Sequence, residues 1–178
     1  TGSRQKVANY TGVTVERKSG GFVTPAGRQV TLLDLPGTYS LRGRSPDEII
    51  TRDVVLGKRA GEAPPDLVLC IADATNLRLT LRLILELKRT GRPLLVVLNM
   101  FDIATRRGIT IDVDAMSAAL GVPVITSVAV KKGGVDALRA RTDEFAANMP
   151  APVAPPEWTQ TSIADMKAYQ READRIIR

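Results

Sequence analysis

Two continuous apolar runs of strand length constrain this sequence more than any other feature. Residues 67–72 and 94–98 contain only apolar side chains, a pattern typical of strands that are covered on both faces. Between them, residues 76–90 place leucine and isoleucine at helical spacing, and Gly91 follows as a stop signal. A strand, a helix and a second buried strand in this order predict a βαβ unit with parallel strands.

Glycine and proline divide the rest of the chain into shorter elements. Residues 13–18 alternate in polarity, Gly20 and Gly21 are expected to form a turn, and residues 22–24 are expected to pair with 29–33 as a hairpin. The alternation of strands and helices from residue 28 onward predicts an α/β domain with a mostly parallel central sheet. The other predicted elements are a strand at 122–126 and helices at 112–120, 135–148 and 162–177.

A proline-rich stretch predicts the domain boundary. Residues 149–156 are half proline, a composition that keeps a chain extended and semi-rigid. We therefore expect one α/β domain at 1–148, a linker at 149–161 and the beginning of a small helical domain at 162–178.

Composition excludes several classes of function. The chain has no histidine and one cysteine, so catalytic sites based on histidine and zinc sites based on His or paired Cys are excluded. The net charge of +6 comes from scattered residues and aromatics make up 4%, which predicts no nucleic-acid partner. No apolar stretch approaches the roughly 20 residues of a membrane helix. Cys70, within an apolar run, is expected to be a buried thiol in a reducing compartment.

Two short polar motifs follow predicted strands. Residues 34–37 read Asp-Leu-Pro-Gly and residues 99–102 read Asn-Met-Phe-Asp. Either motif alone could be a helix cap or a turn, and one D-x-x-G is expected by chance in a chain with 14 glycines. Ligands bind beyond the carboxyl ends of parallel strands, so the two motifs together, in this order, predict a binding site. The layout is that of a Ras-like P-loop GTPase fold.

The residue types suit the chemistry of such a site. Asp34 can hold Mg²⁺, and the small Gly37 lets its backbone N–H approach a terminal phosphate. Thr14, in a glycine-containing loop, can complete the Mg²⁺ shell. Asp102 can accept two hydrogen bonds from the edge of guanine, which adenine does not offer, and Asn99 would brace that loop.

Longer strings resemble one family within this class. Residues 1–10, 12–16, 34–41, 73–77 and 99–102 are similar to the cytosolic G domain of the bacterial ferrous iron transport protein B (FeoB) family, in which the N-M-x-D form of the guanine motif is typical. The resemblance implies binding of GTP and GDP and slow GTP hydrolysis at the cytoplasmic face of the bacterial inner membrane. It also implies coupling to Fe²⁺ passage through a transmembrane domain of the same protein. The oligomeric state is left open, a homo-oligomer included.

The resemblance also assigns roles to individual residues. It implies catalytic roles for Thr14 and Gly37, Mg²⁺ binding by Thr14 and Asp34, and K⁺ binding through the backbone of Tyr10. The third loop has Ala129 and Val130 where the family usually has a serine-containing pair, so a backbone contact to guanine is expected without the side-chain contact. The implied nucleotide-binding residues are Gly12, Val13, Thr14, Asp34, Leu35, Pro36, Gly37, Asn99, Met100, Asp102, Ala129 and Val130.

Two departures from the class bear on activity. The phosphate-binding loop G-x-x-x-x-G-K-[ST] does not occur in the sequence, so we expect a domain without its first strand and with open apolar edges on both neighbouring strands. Thr38 stands where Ras-like proteins place a water-orienting glutamine, which predicts slow turnover. The alternatives are a non-hydrolysing nucleotide-sensing or interaction module and a soluble Era-like or TrmE-like GTPase acting on RNA.

Overall fold

The computed structural model describes residues 6–127, 134–148, 158–159 and 161–177. Strands come first along this part of the chain, and strands and helices then alternate. In chain order the elements are β1 (Lys6–Asn9), β2 (Glu16–Val23), β3 (Gln29–Asp34), α1 (Pro46–Val55), β4 (Val68–Asp73), α2 (Leu77–Lys88), β5 (Leu94–Asn99), α3 (Phe101–Arg106), α4 (Val113–Leu120), β6 (Val124–Thr126), α5 (Gly134–Ala147) and α6 (Ile163–Ile176).

The first three strands form an antiparallel sheet in the order β1-β2-β3. Gly20 and Gly21 lie inside β2, opposite Leu32 and Thr31, so the turn predicted at these glycines is wrong. A Cβ on Gly21 would lie 3.2 Å from the carbonyl oxygen of Val30. Glycine therefore serves here as a strand residue at a close approach of two backbones.

The β2–β3 turn lies at residues 24–28. The backbone of Thr24 donates to the carbonyl of Arg28 at 2.9 Å, and its hydroxyl accepts from the Arg28 N–H at 3.0 Å. Gly27 has φ of +82°, a value that glycine adopts without steric cost. The predicted hairpin of residues 22–24 with 29–33 is confirmed, with its turn after Val23.

The predicted βαβ unit is confirmed by the second sheet. Strands β4, β5 and β6 pair in parallel in that order. Every side chain from Leu94 to Leu98 in the central strand is buried. Helix α2 covers this sheet with Leu81, Ile84 and Leu87, which share a core with Leu120 of α4. Burial on both faces explains why β5 is a continuous apolar run.

The alternation of strands and helices predicted from residue 28 onward includes a helix between β3 and β4, and α1 is that helix, although its bounds were not predicted. Ser45 is its N-cap and accepts a hydrogen bond from the backbone N–H of Glu48, with Pro46 at the first helical position. These are strong helix-start signals. The helix buries Ile50 and Val54 against the antiparallel sheet.

Each sheet ends in a strand with an edge that is unpaired within the described residues. Strand β3 hydrogen-bonds only to β2, and β4 only to β5. Leu32 on β3 is 45% exposed and Ile71 on β4 is 55% exposed. Ile71 lies in the parallel sheet, whose strands are normally buried on both faces.

Helix α6 packs against α2. Ser162 and Asp165 form a capping box at its N-terminus, and Ala173 is fully buried in the core. Arg78 of α2 pairs with Asp174 at 2.8 Å. The proline-rich stretch at 149–156, predicted to be a linker, lies outside the described residues. Within the part of the chain that the structure describes, no helix is long and apolar enough to cross a membrane.

Candidate functional site

The D-x-x-G motif begins at the last residue of β3. Asp34 and Gly37 are exposed, and Leu35 between them contacts the core. The carbonyl of Pro36 accepts a hydrogen bond from the Thr51 hydroxyl of α1 at 3.3 Å. The motif is thus anchored at its two central residues and presents its two ends to solvent.

The loop of residues 10–15 connects β1 to β2. The backbone N–H of Tyr10 donates to Val15 at 3.0 Å, and the N–H of Val13 donates to the Tyr10 carbonyl at 3.2 Å. Gly12 has φ of +82°. This tight turn replaces the first part of the strand predicted at 13–18 and leaves Thr14 exposed.

Tyr10 fixes this loop to α1. Its side chain is 3% exposed and packs against Ile50 and Val54. Arg59 lies over the ring, 5.6 Å from its centroid, and donates to the carbonyl of Thr11 at 2.6 Å. Burial raises the pKa of the Tyr10 phenol. Its hydroxyl therefore stays protonated, and it has no hydrogen-bond partner among the described residues.

The strand register brings Asp34 and the loop of Thr14 to the same end of the antiparallel sheet. Asp34 lies opposite Lys18, two positions after the start of β2 at Glu16. The Asp34 carboxylate and the Thr14 hydroxyl form no side-chain hydrogen bond within the described residues. The oxygen atoms of both groups are therefore available to an outside ligand.

The N-x-x-D motif lies at the carboxyl end of β5. Asn99 is the last residue of the strand, opposite Asp73, and its carbonyl accepts from the N–H of Ala74 at 3.0 Å. Met100 has φ of 57° and is the one non-glycine residue with positive φ in the described part of the chain. The left-handed turn there lets α3 begin directly after the strand, with Asp102 in its first turn.

Asp102 is partly exposed and paired. Its Oδ2 lies 3.1 Å from Nη2 of Arg106, one helical turn later, and its side chain is 23% exposed. The side chain of Arg106 is 72% exposed, so this ion pair contributes little to stability. The Asp102 carboxylate can therefore exchange Arg106 for another hydrogen-bond partner.

The third predicted loop starts beside the second motif. Thr126 of β6 pairs with Leu98 of β5, and the N–H of Ser127 donates to the Leu98 carbonyl at 2.8 Å. Ala129 and Val130, predicted to contact guanine, lie outside the described residues.

Three residues that the sequence did not single out support these motifs. Thr51 binds the D-x-x-G loop at Pro36, and Arg59 binds the loop of residues 10–15 at Thr11. The third is Glu86 of α2, which binds Leu41. Glu86 is fully buried and burial raises the pKa of its carboxyl group. A charged residue on the apolar face of a helix, between Leu83 and Leu87, is the signal that could have identified it.

Comparison with known proteins decides the family. Residues 1–142 match the family model described as ferrous iron transport protein B. The chain belongs to the FeoB family. The Fe(2+) transporter FeoB of Escherichia coli (strain K12) is 48% identical over 152 residues, which cover 83% of this chain and 19% of that protein. The chain thus spans about a fifth of the length of this relative.

Solved structures of FeoB cytosolic domains share the fold. The cytosolic domain of T. maritima FeoB in its GMPPNP form is 27% identical with a TM-score of 0.77, and the match covers 99% of this chain and 88% of that one. A mutant of S. thermophilus NFeoB bound to GDP is 40% identical with a TM-score of 0.70, and covers 90% of this chain and 59% of that one. The expected fold, a Ras-like α/β domain of FeoB, is confirmed.

Proposed function

We propose that this chain is the guanine-nucleotide-binding and GTP-hydrolysing part of a membrane ferrous iron transporter, where it regulates iron uptake from the cytoplasmic face. The observation that carries the proposal is the position of Asn99 and Asp102 at the carboxyl end of β5, in a chain of the FeoB family. Binding of GMPPNP and of GDP by two FeoB cytosolic domains supports the same ligand here.

Guanine recognition is assigned to the loop after β5. The Asp102 carboxylate would exchange its contact with Arg106 for two hydrogen bonds from the guanine edge. Asn99 would brace the loop, and the left-handed Met100 provides the turn that aims it. The backbone of Ala129 and Val130 would complete the contact.

Mg²⁺ fits the donors at the other loops. Thr14 and Asp34 supply the hydroxyl and carboxylate oxygens that this hard cation prefers, and both are exposed. When bound, Mg²⁺ neutralises phosphate charge. Gly37 contributes a backbone N–H toward the terminal phosphate, and a Cβ there would meet no atom within 4 Å. Gly12 and Val13, in the same loop as Thr14, would also contact the nucleotide.

Turnover is expected to be slow. Thr38 follows Gly37, and its hydroxyl already donates to the Ser40 carbonyl at 2.8 Å, so no side chain at this position is free to orient water. K⁺ stimulation would require the Tyr10 carbonyl to coordinate the cation. This oxygen already accepts a hydrogen bond from the Val13 N–H, so K⁺ would bind through its second lone pair.

Strands β3 and β4 each have an edge with no paired strand among the described residues. These edges support the presence of a further strand. We infer that one further parallel strand, leading into a phosphate-binding loop, lies between them in the complete protein. Such a strand would satisfy both edges and would cover the exposed Leu32 and Ile71. Membership of the FeoB family leaves no support for the alternative of an RNA-acting Era-like or TrmE-like GTPase.

Calorimetric titration of the complete protein with GDP, GTP and ADP, together with phosphate release, tests the proposal. We expect binding of both guanine nucleotides, a preference over ADP of at least tenfold, which corresponds to about 1.4 kcal/mol, and slow release of phosphate from GTP. Guanine binding without phosphate release would favour the non-hydrolysing module. Absence of guanine preference would refute the assigned site.

A further inference from the structure

Glu86 is a buried carboxylate that the proposed chemistry does not use. It lies on α2 with 0% exposure. Its oxygens accept a hydrogen bond from the backbone N–H of Leu41 at 2.6 Å and from the Ser40 hydroxyl at 3.2 and 3.3 Å. Both donors belong to the segment that follows the D-x-x-G motif.

An apolar residue would be the ordinary occupant of this position. Burying a carboxylate is costly, and a buried ionic group is weak evidence for stability. Burial raises the pKa of Glu86, the hydrogen bonds from Leu41 and Ser40 and the charge of Arg82 lower it, and Glu48 raises it. Buried polar groups can instead fix one conformation of the chain that they bind.

The segment that Glu86 holds follows the D-x-x-G motif directly. Leu41 is fully buried. The Thr38 hydroxyl donates to the carbonyl of Ser40 at 2.8 Å and accepts from its N–H at 3.2 Å. Gly37 and Tyr39 are exposed, Tyr39 by 65%. The exposed part of the loop is therefore short.

Two helices fix this short loop at its ends. At one end, Thr51 of α1 donates to the Pro36 carbonyl. At the other end, Glu86 of α2 accepts from Ser40 and Leu41. Only residues 37–39 lie between the two attachment points, so the direction of the Gly37 N–H depends on both.

We propose that Glu86 is a positioning residue for GTP hydrolysis, which holds Ser40 and Leu41 so that the loop presents the Gly37 N–H toward the terminal phosphate. This inference rests on the proposed function. Because the guanine contact is assigned to the separate loop at Asn99–Asp102, loss of the Glu86 contact lowers kcat and leaves GDP affinity nearly unchanged.

Two substitutions at Glu86 in the complete protein separate positioning from packing. Glu86→Met keeps the approximate volume and removes both acceptors. Glu86→Gln keeps an acceptor for the Leu41 N–H and places an amide donor toward Ser40. We expect Glu86→Met to lower kcat about 10-fold, the effect of one buried charge-assisted hydrogen bond, with less than about a twofold change in GDP affinity. Glu86→Gln restores kcat to within about threefold.

Hydrogen exchange supplies a readout that does not depend on GTP. The Leu41 amide exchanges faster in Glu86→Met than in wild type and stays protected in Glu86→Gln. Thr80→Val, at a buried position of the same helix, is the control for general disturbance of α2 and leaves both kcat and Leu41 exchange unchanged.

The outcomes distinguish the two proposals. Absence of GTP turnover in wild type refutes the proposed function, while unchanged Leu41 exchange in Glu86→Met refutes the contact itself. If Glu86→Met does not fold, Ser40→Ala removes the donor from the loop side and is expected to lower kcat with unchanged GDP affinity. Unchanged kcat in the variants that fold, or an equal loss of kcat in Thr80→Val, overturns the positioning role.

Discussion

Carboxylates of this chain occupy two contrasting environments. Asp34 is exposed at a strand end and Asp102 pairs with an exposed arginine, so both can exchange their present surroundings for a ligand. Glu86 is fully buried and binds only the chain itself. Exposure therefore separates the residues assigned to ligand binding from the one assigned to positioning.

Cys70 gives a prediction at the residue scale. The thiol is 5% exposed in β4, and burial raises its pKa to about 12, so thiolate is scarce at neutral pH. We expect no alkylation by iodoacetamide in the native protein and complete alkylation in urea, measured by intact mass. Rapid alkylation of the native protein would contradict the described packing of β4.

At the scale of elements, burial decided what the sequence could predict. Strands β4 and β5 and helix α2 were predictable because a central parallel strand and its covering helix have distinct apolar patterns. The turn at Gly20 and Gly21 was wrong because glycine marks both turns and close backbone approach, and only the register of β3 distinguishes them.

The residues of the site also divide into those that the sequence could predict and those that it could not. Asp34 and Asn99 were predictable because local sequence shows where an apolar strand ends. The supporting contacts from Thr51 and Glu86 join residues 15 and 45 positions apart. Such contacts depend on how α1 and α2 pack, which no local pattern records.

The end of α4 provides a prediction at the scale of elements. Gly121 terminates the helix with φ of +64°, and a Cβ there would come no closer than 3.7 Å to another residue, at Lys88 Nζ. Gly121→Ala is therefore expected to lower the free energy of unfolding by about 1 kcal/mol, through backbone conformation alone. Urea unfolding checks this value. Gly121→Asn is the control and should cost less, because asparagine tolerates the left-handed region; equal costs would contradict a purely conformational cause.

At the scale of the whole molecule, the described strands form two separate sheets, one antiparallel and one parallel. The loops at residues 10–15 and 34–37 belong to the first sheet, and the loop at 99–102, to which guanine recognition is assigned, belongs to the second. A nucleotide that contacts all three would connect the two sheets, as would the inferred strand and its phosphate-binding loop. Nucleotide state and the packing of the two sheets would then be linked. Helix α6 packs on α2 and shares the core of the second sheet.

The specificity of base recognition tests the central claim most directly, because it depends on one side chain. In the complete protein, Asp102→Asn is compared with wild type and with Asp114→Asn, a control at an exposed aspartate of α4. Competition against a fluorescent GDP analogue measures the affinities for GDP and xanthosine diphosphate. We predict that Asp102→Asn reverses the preference from guanine to xanthine by at least about tenfold, while Asp114→Asn keeps the preference of wild type. An unchanged guanine preference in Asp102→Asn would contradict the assignment of this chain as the guanine-nucleotide domain through the loop at Asn99–Asp102.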